Sequence, residues 1–485
     1  TASEPLGIQV FVVVDPSTRG FLLSGVVLRS RREPVTCTFR MKKAHSLSEL
    51  EATLRRLVDS SSVAVTSGDR LAGKVGAAIT RDDERHKEKQ QEPPRRKPRL
   101  APLPQMKRAS VGVAPLSVFH ALGRAISLDR QGSARGLAEH WGCLKYALAL
   151  DGSQKQDHMT LSAEGRSTQR QHKTVQAHEL GIGFGVAAVE HILRERYRDH
   201  RVSIVPAEVA LRAGWPLTGL RYRPRFFAEV WRPGERAKVF PVVCKGHHGR
   251  QSSSYPQLAS ASAHVEAVHI GPWNETPALV LSTELSMKGS IVVHALAAGG
   301  DGGVLPAGEE ELNSSSRDLS MPPQITKPAE GGAREEGLPG FHVLPQHTGW
   351  FRTVLARTDA AGLVAFTGDS SATAPHLTKH QGREYYTRQS HAAISSVRNI
   401  EHTLLDIPCV GTEHVFRLNG ERVEAFSGLA EDLFNALAQG RVDKYRREVD
   451  AQYARHPYAR WDRSWEGAVS VRPDGSVLAI RRLKP

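Results

Sequence analysis

The sequence predicts a multi-domain α/β protein, in which a central mixed sheet is flanked by helices and smaller α/β or α+β domains lie at the N- and C-terminal ends. Three observations support this prediction. The chain has 485 residues, which is long for one hydrophobic core. Strand-like and helix-like apolar patterns alternate along it. Two segments, 81–112 and 301–345, have the composition of linkers.

These two segments set the predicted domain boundaries. Residues 1–80 form a small α/β domain that contains the strand-like run "SVAVTS". A basic, Pro-rich linker over 81–112 leads to 113–300, a helical lead-in followed by an α/β domain. After the Gly-, Ser- and Glu-rich linker at 301–345, residues 346–485 form an α+β domain, where Asn419-Gly420 and Asp474-Gly475 predict hairpin turns.

Charge and cysteine content narrow the possible functions. The chain has 65 Lys and Arg against 51 Asp and Glu, a net charge of +14 that suits a polyanionic partner such as nucleic acid. A biased genome composition produces the same Arg excess, so charge alone does not establish this partner. The four cysteines show no C-x-x-C spacing, which argues against a zinc ribbon and favours a reducing cytoplasm. Because no run of eighteen apolar residues occurs, we expect no membrane partner.

The segment 174–300 is the most regular part of the sequence. "TVQAHELGIGFGVAAVEHILRERY" has helical spacing, and its glycines at 181, 183 and 185 predict close approach of a ligand or another backbone. "RFFAEVW" and "KVFPVVCKG" form a predicted hairpin, which is followed by a helix that begins near Gln257. Two apolar strands, "ALVLSTEL" and "SIVVHALA", complete the segment.

This order, with Lys245-Gly246 ending the second hairpin strand and Gln257 opening the next helix, resembles the PD-(D/E)xK restriction-endonuclease-like superfamily. The resemblance covers about a quarter of the chain. It implies a restriction-endonuclease-like central sheet and metal-dependent hydrolysis of DNA, with Mg²⁺ or Mn²⁺ held by carboxylates and a lysine that stabilises charge on the phosphate.

The chain departs from the family pattern at both acid positions. Val243 stands two residues before Lys245, and Arg225 follows Pro224 where the family has an aspartate. A catalytic site therefore requires other carboxylates. The candidates are Glu229 in the first hairpin strand, and either Glu266 or Glu179 on a neighbouring helix.

The remaining predicted site residues surround this hairpin. Lys245 is expected to stabilise charge, and Gln257 to orient water or phosphate. His247 and His248 are expected to contact nucleic acid or to add metal ligands, although imidazole suits Zn²⁺ or Mn²⁺ better than Mg²⁺. Arg223 and Arg225 are expected phosphate contacts.

Three functional hypotheses follow, and the sequence leaves open whether the chain is an enzyme. The first is a cytoplasmic, metal-dependent nuclease, with bacterial genome defence suggested by fold-level analogy alone. The second is a catalytically inactive nuclease-fold module that binds nucleic acid, in which Arg225 replaces a metal ligand. The third is a protein-binding role. Catalysis requires Glu229 and another carboxylate to converge within about 4–5 Å near Lys245.

Overall fold

The computed structural model describes residues 26–29, 34–37, 47–103, 108–128, 139–152, 158–217, 219–272, 275–308, 310–313, 319–327, 336–386, 397–418, 420–454 and 456–483. The chain divides into two compact units, Thr1–Leu50 and Glu51–Pro485. In the first unit, strands β1 (Val26–Arg29) and β2 (Pro34–Cys37) pair antiparallel. The candidate sites all lie in the second unit.

The described helices are α1 (Leu47–Arg56), α2 (Asp69–Glu88), α3 (Pro115–Ile126), α4 (Ala163–Ser167), α5 (Arg170–Arg196), α6 (Ala207–Arg212), α7 (Ser254–Glu266), α8 (Thr348–Phe366), α9 (Ser370–Thr373), α10 (Lys379–Tyr386), α11 (Glu431–Ala438) and α12 (Val442–Gln452). The remaining described strands are β3 (Ser61–Thr66), β4 (Arg108–Val113), β5 (Leu150–Asp151), β6 (Thr160–Leu161), β7 (Arg201–Pro206), β8 (Phe226–Trp231), β9 (Ala237–His247), β10 (Val268–Ile270), β11 (Ala278–Glu284), β12 (Val292–Ala298), β13 (Val304–Leu305), β14 (Gln324–Lys327), β15 (Glu336–Pro339), β16 (Phe341–Val343), β17 (Val397–Leu404), β18 (Ile407–Leu418), β19 (Glu421–Ala430), β20 (Tyr458–Asp462), β21 (Gly467–Val471) and β22 (Ser476–Arg482).

A mixed sheet of eight strands forms the centre of the second unit. Its order is β4-β3-β12-β11-β9-β8-β7, and β13 pairs with β9. The pairs β9 with β11 and β3 with β12 are parallel, whereas the other pairs are antiparallel. Strand β8 is buried along its whole length, as expected for a strand that is covered on both faces.

Helices cover both faces of this sheet. On one face, α5 approaches β9 so closely that a Cβ atom at Gly181 would lie 2.7 Å from the backbone nitrogen of Gly246. On the other face, Leu258 of α7 and Val75 of α2 share a hydrophobic cluster with Val243 of β9. The predicted close approach at the α5 glycines is therefore confirmed: Gly181 faces the backbone of β9, Gly185 faces Cys244 of β9, and Gly183 faces the carbonyl oxygen of Val118 on α3.

A second sheet of six antiparallel strands occupies the C-terminal region, in the order β17-β18-β19-β22-β21-β20. Both hairpin turns predicted here are confirmed. Gly420 between β18 and β19 has a φ of 85°, and Gly475 between β21 and β22 has a φ of 80°. These left-handed backbone conformations favour glycine. Asn419 lies outside the described residues.

One hydrophobic core joins the central sheet to the C-terminal region. It includes Phe227 of β8, Phe351 of α8, Leu433 of α11 and Tyr445 of α12. Small sheets formed by β5 with β6, β10 with β16, and β14 with β15 complete the described fold. The mixed α/β class, with a large mixed sheet flanked by helices, is confirmed, whereas the restriction-endonuclease-like assignment stays a prediction.

The segments expected to be linkers have regular structure in part. Helix α2 continues to Glu88, and β4 begins at Arg108, so 81–112 is not a simple linker. Within this segment, the Arg96 guanidinium contacts Asp83 at 3.2 Å and also pairs with Asp82. In the segment 301–345, strands β13 to β16 and a 3₁₀ turn occur among the described residues.

The contact between α5 and β9 predicts a large difference between two helical glycines. We expect Gly181→Ala to destabilise the protein by about 1–3 kcal/mol, because its Cβ would collide with the backbone of Gly246. Gly76→Ala in α2 is the matched control, because a Cβ at Gly76 would meet no described atom of another element within 4 Å. It should leave stability unchanged or raise it by up to about 1 kcal/mol. Urea unfolding of both variants checks this, and equal effects would contradict the described packing.

Candidate functional site

The carboxyl ends of two parallel strands bring several polar side chains together. In the register of β9 and β11, Lys245 lies beside Ser282, and His247 lies beside Glu284. Residues two apart on a strand share a face, so all four side chains lie on the face that α7 covers. The structure therefore places Lys245 and His247, which were predicted from the sequence, next to the beginning of α7.

Lys245 is a partly buried cation with a neutral partner. Its Nζ donates a hydrogen bond to Oγ of Ser260 on α7 at 3.0 Å. Among the described residues, no carboxylate forms an ion pair with it. Burial lowers the pKa of Lys245, because removing water penalises the charged ammonium. An anion bound beside Lys245 would stabilise the charged ammonium in place of the water that burial removes.

Gln257 links the ends of the two strands. Its Nε2 donates to the carbonyl oxygen of Gly246 at 3.1 Å, and its Oε1 accepts from Oγ of Ser282 at 2.8 Å. Both ends of the amide thus hold protein partners. Gln257 positions β9 and β11 relative to α7, and orientation of a water molecule would require one of these bonds to open.

The two adjacent histidines are held in different ways. Nε2 of His247 lies 2.7 Å from Oγ of Ser254, and its buried Nδ1 has no hydrogen-bond partner among the described residues. Nδ1 of His248 lies 3.3 Å from the carbonyl oxygen of Leu285. Burial lowers the pKa of both side chains, which favours neutral imidazoles near pH 7.

A carboxylate that was not predicted as a site residue lies beside this cluster. Oε2 of Glu284 is 3.1 Å from Nε2 of His294, and Nδ1 of His294 is 2.5 Å from Oγ1 of Thr66. The available sequence signal was that Glu284 ends an apolar strand. Its position beside His247 follows from the parallel register of β9 and β11, which the sequence does not specify.

Several basic side chains lie near the end of the hairpin of β8 and β9. The backbone nitrogen of Arg225 donates to the carbonyl oxygen of Val242 at 3.0 Å, immediately before the regular pairing of β8 with β9 begins at Phe226 and Val242, and its guanidinium lies 5.7 Å from the centre of the Phe226 ring. We call Arg223, Arg225, Lys245 and His264 the basic corner. Burial lowers the pKa of His264, and the positive charges of Lys245 and Arg223 lower it further.

One carboxylate contacts the edge of the basic corner. Oε2 of Glu208 lies 3.2 Å from a terminal nitrogen of Arg223, and its other oxygen lies 2.7 Å from Arg212. Nδ1 of His264 lies 2.9 Å from the carbonyl oxygen of Arg223. Glu208 is therefore shared between two guanidinium groups and neutralises only part of the positive charge.

Glu229, the first predicted metal ligand, does not approach Lys245. It pairs with Val239 in the hairpin, six residues before Lys245, which corresponds to about 20 Å along the strand. Its carboxylate is fully buried and accepts hydrogen bonds from Arg446 of α12 at 2.5 and 3.2 Å. The sequence did not indicate this pairing, because the two residues are 217 positions apart.

The other two predicted metal ligands also lie elsewhere. Glu179 on α5 contacts Nζ of Lys145 and the hydroxyl of Tyr146, both at 2.7 Å. Glu266 at the end of α7 forms an ion pair with Lys97 at 3.1 Å and contacts His269 at 3.3 Å. The three predicted carboxylates thus have separate ionic partners and do not form a shared metal site beside Lys245.

Comparisons with protein-family models, with curated proteins and with solved structures find no match to this chain. Within the part of the chain that the structure describes, none of the helices has the length and apolar character needed to cross a membrane.

The role found for Glu229 predicts a large stability effect. Replacement of Glu229 by Gln leaves the Arg446 guanidinium buried without its counter-charge, so we expect a loss of about 3–5 kcal/mol in the free energy of unfolding. Arg447→Met on the same helix is the control, because its side chain is 54% exposed and its ion pair with Asp443 contributes at most about 1 kcal/mol. Urea denaturation measures both. A loss for Glu229→Gln no larger than that of the control would refute the structural role.

Proposed function

We propose that this chain is a nucleic-acid-binding protein with a restriction-endonuclease-like core, in which the metal-binding acids have been replaced by a phosphate-binding basic corner. The observation that carries the proposal is the partly buried ammonium of Lys245, whose hydrogen-bond partner is the neutral hydroxyl of Ser260. Arg225 adds a second cation at this end of the hairpin, where it directly precedes β8 and its guanidinium lies 5.7 Å from the centre of the Phe226 ring.

The order of elements supports the fold part of the proposal. Helix α5 precedes the antiparallel strands β7, β8 and β9, and α7 then leads to β11, which is parallel to β9. This is the order on which the resemblance to the PD-(D/E)xK superfamily rests. Lys245 and Gln257 lie together at the carboxyl end of β9, where the resemblance places its lysine and glutamine.

The chemistry of the basic corner favours a phosphate ligand. A guanidinium offers paired N–H donors that match phosphate oxygens, and an ammonium adds a compact positive charge. Partial burial lowers the local dielectric constant, so each contact with an anion is stronger than it would be in bulk water. The net charge of +14 would add long-range attraction to a polyanion. DNA is the nucleic acid that we propose first.

Hydrolysis is the less favoured alternative. Metal-dependent cleavage needs carboxylates that hold the ion near the scissile phosphate. Glu229, Glu266 and Glu179 pair with Arg446, Lys97 and Lys145, respectively. Glu284 is an acid on the same strand ends, and its carboxylate pairs with His294. A role in genome defence remains an expectation from analogy with the superfamily.

A cytoplasmic location forms part of the proposal. Among the described residues, Cys143, Cys244 and Cys409 are free, buried thiols. Burial raises the pKa of each thiol to about 12, so these cysteines are poor nucleophiles and serve as core residues.

Binding to DNA tests the proposal directly. We expect Lys245→Met and Arg225→Gln each to weaken binding to a fluorescent DNA duplex about 10-fold, the equivalent of about 1.4 kcal/mol for one charge-assisted contact. Each variant should also reduce the slope of log affinity against log salt by about one. Arg417→Ala is the control, because it removes the same charge from an exposed hairpin of the C-terminal sheet. Fluorescence anisotropy at several KCl concentrations gives these values.

The same preparations distinguish the other two hypotheses. With Mg²⁺ or Mn²⁺ present, we expect no cleavage of plasmid or single-stranded DNA by the wild type. Metal-dependent cleavage that disappears in Lys245→Met would establish hydrolysis at this site and overturn the proposed inactivity. If the wild type fails to bind DNA at any salt concentration, the nucleic-acid role is wrong and a protein partner becomes the better explanation.

A further inference from the structure

Three strands of the C-terminal sheet bring metal-binding side chains together, far in sequence from the basic corner. His402 on β17, Glu413 on β18 and Glu424 on β19 each offer one ligand atom, and these atoms all lie within 4.8 Å of one another. Nε2 of His402 contacts Oε1 of Glu413. Neighbouring strands position all three groups, so their geometry does not depend on a loop.

These groups lie on the face of the sheet opposite α8. Glu413 and Glu424 alternate with residues of the other face, where Thr412 donates a hydrogen bond to the carbonyl oxygen of Thr367 at 2.6 Å. The side chains of His402 and Glu413 are 20% and 18% exposed, and that of Glu424 is 5% exposed. An ion can therefore reach the group from solvent while the ligands stay largely ordered.

The aromatic ring of Phe426 packs against the imidazole of His402. The ring of Phe426 lies 5.0 Å from the ring of His402 at 79°. Gly411 and Gly428 permit this arrangement, since added Cβ atoms would lie 2.8 and 2.4 Å from the Phe426 ring. Apolar surroundings of this kind limit the access of water to a metal site and strengthen its electrostatics.

Arg481 supplies a positive charge next to the two carboxylates. Its Nε lies 2.6 Å from Oε2 of Glu424, and its guanidinium lies 4.8 Å from the centre of the Trp465 ring. With a neutral imidazole, the ionised group of His402, Glu413, Glu424 and Arg481 carries one net negative charge.

We propose that His402, Glu413 and Glu424 bind one divalent transition-metal ion, with Zn²⁺ or Mn²⁺ as the occupant. One imidazole and two carboxylates form a mixed nitrogen and oxygen ligand set, which suits these ions better than Mg²⁺ or Ca²⁺. Zinc–ligand bonds of about 2.0–2.2 Å connect donors up to roughly 4 Å apart, so small side-chain rotations complete the coordination. Three protein ligands leave a position for water.

The hydrogen bond from Arg481 gives Glu424 a supporting partner. Metal-binding carboxylates are commonly held by a second hydrogen bond that fixes their orientation. This inference does not depend on the DNA-binding proposal, because the site lies on the C-terminal sheet and its readout is metal binding alone.

Titration of the full-length apo-protein with Co²⁺ and Zn²⁺ tests the site. We expect one equivalent of bound Co²⁺ with a visible absorption band, and displacement of that band by one equivalent of Zn²⁺. His402→Ala and Glu413→Gln should each weaken binding at least about 10-fold and remove the band. His414→Ala is the matched control, because it removes an imidazole that follows Glu413 directly on β18 but lies on the opposite face of the sheet, where its ring is 5.2 Å from Trp141.

The chain contains 22 histidines, so metal ions can also bind adventitiously elsewhere. The control variant distinguishes such binding from binding at the proposed site. Circular dichroism of the apo-proteins establishes whether each variant folds, and the nearly isosteric Glu413→Gln decides the result if His402→Ala does not fold. The absence of a stoichiometric metal ion in the wild type would overturn the proposal. Equal binding by the wild type, Glu413→Gln and His414→Ala would overturn it as well.

Discussion

Buried ionic groups connect the central sheet to the C-terminal region, and each must have a partner because an isolated charge in the protein interior is very costly. Glu229 of β8 pairs with Arg446 of α12 at 2.5 Å. Glu190 of α5 contacts Arg194 at 3.3 Å and Arg472 beyond β21. Loss of the C-terminal residues would remove Arg446 from Glu229 and Arg472 from Glu190, which would then keep only Arg194 among its described ion-pair partners. The two regions therefore depend on each other for folding.

A third buried ionic group consists of one arginine, Arg124, and two aspartates, Asp359 and Asp474. Arg124 of α3 lies 3.3 Å from Asp359 of α8 and 3.2 Å from Asp474 in the turn between β21 and β22. Burial raises the pKa of Asp359 to about 6, despite the opposing effect of Arg124. Burial also opposes ionisation of Asp474, but Arg124 and Arg472 outweigh it and hold its pKa below the usual range. Two acids that contact the same arginine therefore have pKa values shifted in opposite directions: Asp359 is protonated more easily than an ordinary aspartate, and Asp474 less easily.

This pairing constraint also determines the character of the basic corner. Glu229, the predicted metal ligand in the first hairpin strand, is buried in the interior and pairs with Arg446. Lys245 lies at the end of the hairpin with the hydroxyl of Ser260 as its hydrogen-bond partner, and among the described residues no carboxylate forms an ion pair with it. Because Glu208 pairs with Arg223 and Glu284 pairs with His294, no described carboxylate is paired with Lys245, and such a site suits anion binding better than metal-dependent hydrolysis. The carboxylates of the C-terminal sheet, by contrast, face one another across adjacent strands and suit a cation.

The sequence by itself determined the mixed α/β class, the hairpin of β8 and β9, the glycine-dependent contact of α5, and the grouping of Lys245, Gln257 and His247. Periodicity and turn residues encode these features over short distances along the chain. Tertiary structure alone decided the pairing of Glu229 with Arg446, the position of Glu284 beside His247, and the convergence of His402, Glu413 and Glu424. These contacts depend on strand register and on packing between distant segments. A single sequence shows which residues can ionise, whereas the fold decides which charges meet.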